Sequence, residues 1–451
     1  MPERIRHSAL LTDLYELTMS AAYFEDNFDA IASFEVFIRA LPPQRSYLIA
    51  AGLEQALDFL EDVRFEPEDV EYVRRHPVFS RIGAEFFKRL ENFRFTGEVW
   101  AMPEGTPIFA EEPFLRVTAP IIEAQIVETF LLSSLTFQTM IASKAARVVE
   151  AAQGRDVVEF GSRRAHGPEA GVLAARAAYV GGCSGTSNVE AGRRYGIPTF
   201  GTQAHSFVMA HRDEEESFRN FQRLFPEHGV LLVDTYDSLA AIEKIVKAGL
   251  RPKAIRLDSG DFVELSREAR RRLDRAGLAE TRVFVSGDLD EFVISNLLAE
   301  GAEIDSFGVG TALATSKDAP TLSGVYKLVD VDFGQGPLGR VKLSSEKSTY
   351  PCRKQVFRKV EPDGSFAGDI IARENESYPN TKPLLACVMR EGKRIGQRPP
   401  LKDVQQNARS LLSKLPETYR RLKNPERYPV RFSDDLQSRL EEIRNRLIAS
   451  R

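Results

Sequence analysis

The sequence contains few cysteines, and they lie far apart. Only three of the 451 residues are cysteines, at Cys183, Cys352 and Cys387, and no two of them have CxxC spacing. This pattern favours neither a disulfide scaffold nor a structural zinc site. Because a chain without disulfides suits a reducing compartment, we expect a cytoplasmic protein.

Long apolar runs and an excess of basic residues are also lacking. No apolar stretch approaches the roughly 20 residues that cross a bilayer, and the N-terminal segment lacks the pattern of a signal peptide. The formal net charge is −4, with acids and bases dispersed along the chain, whereas nucleic-acid binders concentrate basic residues on one face. We therefore expect neither a membrane nor a nucleic acid as a partner.

The remaining composition is that of an ordinary globular protein. Hydrophobic residues make up 43% and charged residues 28% of the chain, a balance that buries a large core. A chain of 451 residues exceeds the size at which one core usually keeps growing, so we expect two domains.

The middle of the chain alternates short apolar segments with helical patterns, and each segment ends in Gly, Asp, Ser or Thr. The segments are VVEFGSR, PTFGTQAH, LLVDTYD, AIRLDSGD, RVFVSGD and DSFGVGT. Such alternation predicts a parallel sheet, and the number of units favours a closed, TIM-like β/α barrel over a doubly wound sheet. The flanking sequence predicts helices and antiparallel hairpins. We expect an α/β protein whose barrel (151–330) is accompanied by a second, α+β domain built from 1–150 and 331–451.

Polar residues and glycines follow the predicted strands, where active sites of parallel barrels form. Glycine turns allow backbone N–H groups to approach phosphate oxygens, and carboxylates hold Mg²⁺, so the set favours a phosphorylated, metal-chelated substrate. Taken singly, each residue also has a structural explanation: a tight turn, a helix cap, a buried histidine or a solvated arginine. The residues are Phe160, Gly161, Arg163, Gly201, Thr202, His205, Asp234, Asp258, Ser259, Gly260, Gly287, Asp288, Gly308, Gly310 and Thr311.

Several long motifs closely resemble those of nicotinate phosphoribosyltransferases. They are LTDLYELTM, EFGSRRAHGPEAG, GCSGTSNVEAGRRYGIPTFGTQAHSFVMAH, VDTYDS, IRLDSGD, FVSGDLDE and DSFGVGT, spread over about residues 10–355. Related nicotinamide and quinolinate phosphoribosyltransferases share parts of these motifs and an irregular barrel beside an α/β domain. The C-terminal part beyond about residue 360 carries no specific motif, and LLSSLTFQT has Ser133 and Thr136 where relatives often have asparagine.

The resemblance implies the entry step of NAD synthesis from nicotinate. Nicotinate attacks C1 of phosphoribosyl pyrophosphate, giving nicotinate mononucleotide and pyrophosphate, with ATP hydrolysis coupled to the reaction and Mg²⁺ on the leaving group. The pyridine nitrogen carries a free lone pair, so no general base is needed. The enzyme must orient the ring and stabilise developing charge.

For the pyridine, the resemblance implies a slot between Phe160 and a Tyr15 that reaches in from the partner subunit of a homodimer. Arg163 would meet the carboxylate, and Ser187 would select nicotinate, because the nicotinamide-using relatives carry aspartate there. The alternatives are a core aromatic for Tyr15, a surface charge for Arg163 and a helix N-cap for Ser187.

For phosphoryl chemistry, the resemblance implies that His205 is phosphorylated by ATP and that Asp234 holds its imidazole. Arg256, Asp258 and Ser259 would contact ribose and pyrophosphate, with Asp258 also a candidate Mg²⁺ ligand. Further predicted contacts are Gly287 and Asp288 to the ribose, Gly308, Gly310 and Thr311 to the 5′-phosphate, and Lys144 and Arg147 to phosphates, with a solvated helix face as the alternative for the last two.

Three other functions compete with this one. Nicotinamide as substrate is disfavoured by Ser187. A non-catalytic nucleotide-binding barrel is disfavoured by the presence of His205, Asp234, Arg256 and Asp258. A barrel hydrolase or aldolase would need a nucleophilic lysine or a close carboxylate pair, and neither can be placed.

Overall fold

The chain divides into two compact units in a computed structural model that describes residues 8–343 and 349–449. The central unit is Ile141–Pro320, and the split unit combines the described residues up to 140 with those from 321 onward. A single helix, Glu128–Ala151, contains the first boundary.

The split unit is built on an antiparallel sheet to which both ends of the chain contribute. Strand Ile31–Ile38 pairs with Gly324–Asp332 on one side and with Leu115–Pro120 on the other. Seven of its eight residues are buried, which places this strand in the core of the unit. Strands from both ends of the chain therefore share one antiparallel sheet.

That antiparallel sheet has seven strands, and two smaller sheets complete the strands of the split unit. The order of the seven strands is Pro337–Gly339, Gly324–Asp332, Ile31–Ile38, Leu115–Pro120, Glu98–Ala101, Ala386–Arg390, Lys393–Arg394. The four-stranded sheet has the order Thr381–Pro383, Lys354–Val360, Phe366–Arg373, Val430–Phe432, and the two-stranded sheet pairs Leu48–Ile49 with Pro107–Ile108.

Helices cover these sheets and bury their apolar faces. Helix Ala84–Glu91, for example, buries Phe86, Phe87 and Leu90 in the main core cluster. Leu90 follows Phe87 by three residues and Phe86 by four, which places the three side chains on one face of the helix. The α-helices whose residues lie wholly in this unit are Leu14–Glu25, Leu53–Asp62, Pro67–Arg75, Ala84–Glu91, Ile121–Ile126, Leu401–Ser413, Glu417–Arg420 and Asp434–Ala449.

The central unit contains a six-stranded parallel sheet. In chain order its strands are β1 (Asp156–Glu159), β2 (Gly185–Thr186), β3 (Val230–Leu232), β4 (Ala254–Leu257), β5 (Arg282–Ser286) and β6 (Ser306–Val309). Their spatial order is β2-β1-β6-β5-β4-β3, and every described pairing is parallel. The predicted parallel sheet is therefore confirmed, with all carboxyl ends at one edge.

Helices connect these strands, and aspartates cap the N-termini of several of these helices. The side chains of Asp237, Asp261 and Asp290 accept hydrogen bonds from backbone N–H groups of the following helix, as N-caps do. Asp234, Asp258 and Asp288 precede these caps and are not themselves caps. The helices are Pro168–Val180, Val189–Tyr195, His205–Met209, Glu214–Leu224, Ser238–Lys247, Phe262–Arg275, Glu291–Ala299 and Thr311–Ala314.

One predicted strand is wrong. The segment PTFGTQAH forms only an isolated bridge, between Thr199 and Thr186, and the short strand β2 was not predicted. Residues 198–203 nevertheless contact both edge strands, because Pro198 O accepts from Thr186 N at 3.0 Å on β2 and Gln203 Oε1 accepts from Leu232 N at 3.1 Å on β3.

Among the described residues, no helix is long and apolar enough to cross a membrane.

Candidate functional site at the carboxyl ends of the parallel strands

Arg256 connects three segments at the carboxyl edge of the sheet. From β4, its Nε donates to Ser286 Oγ at 2.7 Å and its Nη1 to Thr202 Oγ1 at 2.8 Å. Its Nη2 donates to Asp258 Oδ1 at 2.6 Å. The rigid planar guanidinium therefore holds the end of β5, the segment before His205 and the loop after β4 in one arrangement.

Asp258 is the carboxylate at the centre of this network. Its Oδ1 also accepts from Ser286 Oγ at 2.5 Å. Burial opposes ionisation, but the hydrogen bond from Ser286 and the charge of Arg256 outweigh it and lower the pKa of Asp258 below its ordinary value. Asp258 is therefore a carboxylate at neutral pH.

His205 lies beside this carboxylate with its ring partly open to solvent. Nε2 is 3.8 Å from Asp258 Oδ2, and the side chain is 43% exposed. The other nitrogen, Nδ1, is 3.2 Å from Thr235 Oγ1. A negative oxygen facing Nε2 favours a proton on that nitrogen, so the Thr235 hydroxyl donates to Nδ1.

The expected pairing of Asp234 with His205 is not what the structure shows. Asp234 Oδ2 instead accepts from Ser259 Oγ at 2.7 Å and from the Asp258 backbone N–H at 3.2 Å. The residue that meets the imidazole is Thr235, one position later. Asp234 Oδ1 is buried and has no hydrogen-bond partner among the described residues, which is a costly state that a ligand or ion would relieve.

Phe160 provides an aromatic wall next to this network. Its ring lies 5.5 Å from that of Phe284 and 5.8 Å from the Arg256 guanidinium carbon. A Cβ at position 308 would come within 2.7 Å of the Phe284 ring and 2.9 Å of the Phe160 ring. Gly308 is therefore needed for the aromatic packing, which is a different reason from the phosphate contact expected for it.

The turn after β5 requires glycine and brings that strand end close to Asp258. Gly287 has φ +107°, and a Cβ there would lie 2.2 Å from the Asp258 carbonyl oxygen. Asp288 follows with φ +45°, which is uncommon for a residue other than glycine. After β6, Gly310 precedes a short helix that begins at Thr311.

The residues expected around the pyridine carboxylate lie beyond β1 and β2. Arg163 is exposed, in the short 3-10 helix Ser162–Arg164. Ser187 donates its backbone N–H to Glu159 O at 2.9 Å. The N-cap of the next helix is Asn188, whose Oδ1 accepts from Ala191 N at 2.9 Å. The alternative of an N-cap role for Ser187 is therefore wrong.

Lys144 and Arg147, which were expected to contact phosphates or to form a solvated helix face, form buried ion pairs. Both are almost fully buried, and they pair with the buried Glu291: Lys144 Nζ at 2.5 Å and Arg147 Nε at 3.1 Å. Lys144 Nζ also lies 2.7 Å from Asp318 Oδ1. A buried carboxylate needs compensating charge, so these cations neutralise it. The alternative of a solvated helix face is therefore wrong.

Tyr15 belongs to helix Leu14–Glu25 of the split unit. Its side chain is 46% exposed, so the alternative of a core aromatic is wrong. Burial of its hydroxyl end, followed by the charges of Glu128 and Glu16, raises its pKa. The phenol therefore stays protonated at neutral pH.

Two site residues, Thr235 and Ser286, were missed in the sequence analysis. Their hydroxyls bond His205 and Asp258. Their position at or just after predicted strands was the only available signal, because isolated hydroxyl residues are common.

Three protein-family models match the chain: the nicotinate phosphoribosyltransferase N-terminal domain over residues 10–136, the nicotinate phosphoribosyltransferase family over 156–333 and its C-terminal domain over 377–440.

Curated relatives and solved structures agree with these matches. The chain is 48% identical over 445 residues to "Nicotinate phosphoribosyltransferase pncB2" of Mycobacterium tuberculosis, covering 97% of this chain and 94% of the relative. It is 39% identical over 476 residues to the Bacillus subtilis nicotinate phosphoribosyltransferase, covering 97% and 96%. The crystal structure of human nicotinic acid phosphoribosyltransferase superposes with a TM-score of 0.84 at 28% identity, covering 96% of this chain and 99% of that one. The chain belongs to the nicotinate phosphoribosyltransferase family.

Proposed function

We propose that this protein joins nicotinate to phosphoribosyl pyrophosphate and couples the reaction to ATP hydrolysis through a phosphohistidine at His205. The observation that carries the proposal is the convergence, at one edge of the parallel sheet, of a half-exposed imidazole, the ionised Asp258 and Arg256. Family membership supplies the chemistry that such a cluster would serve.

For the pyridine ring, the proposal uses Phe160 as one wall of the slot and Arg163 as the partner of the carboxylate. The exposed guanidinium of Arg163 is available for a bidentate contact. Ser187 follows β2, and its hydroxyl forms no hydrogen bond with another described residue, so it is free to donate to a substrate carboxylate. The opposite wall would be Tyr15 of the partner subunit in a homodimer, which suits its exposed ring.

For the phosphoribosyl group, Asp258, Ser259, Gly287 and Asp288 would contact ribose and pyrophosphate. Gly310 and the helix beginning at Thr311 would hold the 5′-phosphate through backbone N–H groups.

Mg²⁺ fits this set only as an ion shared with the substrate. Among the described residues no group of three or more His, Cys, Asp or Glu side chains forms a metal site, but Mg²⁺ is commonly held by one or two carboxylates plus substrate phosphates. Asp258 Oδ2 and the unpartnered Asp234 Oδ1 are the oxygens that would serve. When bound, the ion would neutralise charge on the departing pyrophosphate.

For ATP coupling, the γ-phosphoryl group would pass to an imidazole nitrogen of His205, releasing ADP, and later hydrolysis would release phosphate. The imidazole is accessible, and Asp258 on one side with Thr235 on the other hold its orientation.

We also propose that the protein is cytoplasmic and that the parallel strands close into an irregular barrel, in which residues 198–203 bridge the two edge strands.

The experiment is an assay of the purified protein with nicotinate, nicotinamide or quinolinate, each with and without ATP. We expect nucleotide formation from nicotinate, faster with ATP, and little from the other two bases. A preference for nicotinamide or quinolinate would contradict the assigned substrate, and rates from nicotinate that do not respond to ATP would contradict the coupling.

A further inference from the structure

The last residue of edge strand β3 has a backbone donor that the parallel sheet does not use. Val233, directly after this strand, donates its backbone N–H to Arg256 O of β4 at 3.1 Å. Because successive N–H groups of a strand point to opposite sides, the N–H of Leu232 points away from β4. Leu232 is 1% exposed, so this donor needs a partner within the protein.

A side chain supplies that partner where a further strand would otherwise stand. Gln203 Oε1 accepts from Leu232 N at 3.1 Å, and Gln203 is itself 3% exposed. The amide thus replaces one hydrogen bond of a missing strand. An orphaned N–H at this place would carry the desolvation cost of an unsatisfied buried donor.

The main chain of Gln203 is tied to the site as well. Its carbonyl accepts from Thr202 Oγ1 at 2.9 Å and from Arg256 Nη1 at 3.4 Å. Gln203 is therefore fixed on two sides, by β3 through its side chain and by Arg256 through its backbone.

Two residues further on, the chain reaches His205, and three residues beyond Leu232 it reaches Thr235. The imidazole and the Thr235 hydroxyl meet at 3.2 Å. The Gln203–Leu232 bond precedes this contact by two residues in one segment and by three in the other, so it sets how the His205 segment is aligned with the end of β3.

We propose that Gln203 is the positioning residue for His205: its side-chain amide sets the alignment that places the imidazole between Thr235 and Asp258. The inference rests on the role of His205 in the proposed function. The part of Gln203 that it depends on is the acceptor oxygen Oε1. The second amide atom, Nε2, is buried without a hydrogen-bond partner among the described residues, so the acceptor is the part of the side chain that the fold uses.

The test compares Gln203→Met, which keeps the length and loses the acceptor, with Gln203→Glu, which keeps an acceptor oxygen in either protonation state. The matched control is Gln406→Met, on the exposed face of helix Leu401–Ser413. The readouts are the ring-nitrogen NMR signals of His205, assigned with a His205→Asn variant, and kcat and KM for nicotinate.

In the wild type and in Gln406→Met, we expect the signals of an imidazole protonated on Nε2. In Gln203→Met, we expect those signals to move toward the tautomer mixture of free imidazole and kcat to fall by about 10- to 100-fold, as for other misplaced catalytic groups. KM for nicotinate should change little, and Gln203→Glu should recover the wild-type ring signals and most of kcat.

Unchanged His205 signals in Gln203→Met would overturn the proposal, as would equal damage by the methionine and glutamate variants. Moved signals with unchanged ATP-coupled turnover would support the positioning role and instead contradict the catalytic role of His205. If Gln203→Met does not fold, Gln203→Asn, whose amide is one methylene shorter, replaces it in the same comparison.

Discussion

At the residue scale, acidic residues of similar sequence context have different tasks. Asp261 accepts from Val263 and Glu264 backbone N–H groups and so caps a helix, whereas Asp258, three residues earlier, bonds Arg256 and Ser286. The same division separates Asp237 from Asp234. Because Asp237 and Asp261 cap the helices, the earlier carboxylates are not needed as caps and instead bond residues of neighbouring segments.

Ser187 is the residue on which substrate choice should depend. A carboxylate in its place would repel nicotinate and accept from the amide of nicotinamide. We expect Ser187→Asp to lower kcat/KM for nicotinate by about 100-fold, in line with the cost of an unfavourable buried charge contact, and to raise the relative rate with nicotinamide. Ser187→Ala is the control, since it removes the hydroxyl without adding charge. Steady-state kinetics on both bases would decide, and an unchanged preference in Ser187→Asp would exclude this role.

At the scale of elements, buried ion pairs hold a helix to two strand-end loops of the central unit. Lys144 connects helix Glu128–Ala151 to Glu291, the first residue of the helix after β5, and to Asp318, beyond the helix after β6. Both segments follow residues that we propose contact the phosphoribosyl group, Gly287 and Asp288 in one and Gly310 and Thr311 in the other. Removing the cation leaves a buried carboxylate without enough compensating charge.

We therefore expect Lys144→Met to lower the free energy of unfolding by about 3–5 kcal/mol. Lys247→Met is the matched control, because Lys247 is 78% exposed, and such changes are usually within about 0.5 kcal/mol. Urea unfolding of both variants measures the difference. Equal stability of the two would show that the buried pair is dispensable.

Helix Leu14–Glu25 contains a buried acid, Glu16, whose hydrogen bonds require a proton on its carboxyl group. Glu16, on the helix that carries Tyr15, is fully buried, and Thr129 Oγ1 donates to its Oε1 at 2.6 Å. Thr12 Oγ1 contacts both Glu16 Oε2 and, at 3.0 Å, Ile126 O. One hydroxyl proton cannot serve both oxygens, whereas a protonated Glu16 can donate to Thr12 while Thr12 donates to Ile126.

The pKa of Glu16 agrees with this arrangement. Burial raises the pKa to about 7, against the lowering effect of the hydrogen bonds with Thr12 and Thr129, while the charges of Glu128 and Asp13 raise it further. Since the folded pKa exceeds the unfolded one, the contribution to stability is complete below the unfolded pKa and is lost as the pH rises through the folded value.

We expect Glu16→Gln, which keeps the neutral hydrogen bonds, to be more stable than the wild type at about pH 8 by on the order of 2 kcal/mol. The advantage should shrink as the pH falls toward about 5. Urea unfolding over this range measures it, with the exposed Glu85→Gln as control. A stability difference that does not vary with pH would contradict the protonated state.

At the scale of the whole molecule, local patterns predicted the strands and the carboxyl-edge residues, because turn chemistry and period-two or helical spacing are local properties. They predicted five of the parallel strands and placed Thr202 and Asp258, two partners of the Arg256 guanidinium, among the strand-end residues. They did not predict the burial of Lys144, the partner of Asp234 or the role of Gln203. Those depend on tertiary packing and on the register between segments distant in sequence, which no local pattern encodes.

The most direct test of the central claim is phosphoryl transfer from γ-labelled ATP in the wild type and in His205→Ala. We predict that the wild type incorporates label in an acid-labile form and that nicotinate and phosphoribosyl pyrophosphate chase it. His205→Ala should incorporate none and lose ATP hydrolysis, while still forming nicotinate mononucleotide slowly. Full ATP-coupled turnover in His205→Ala would contradict the account.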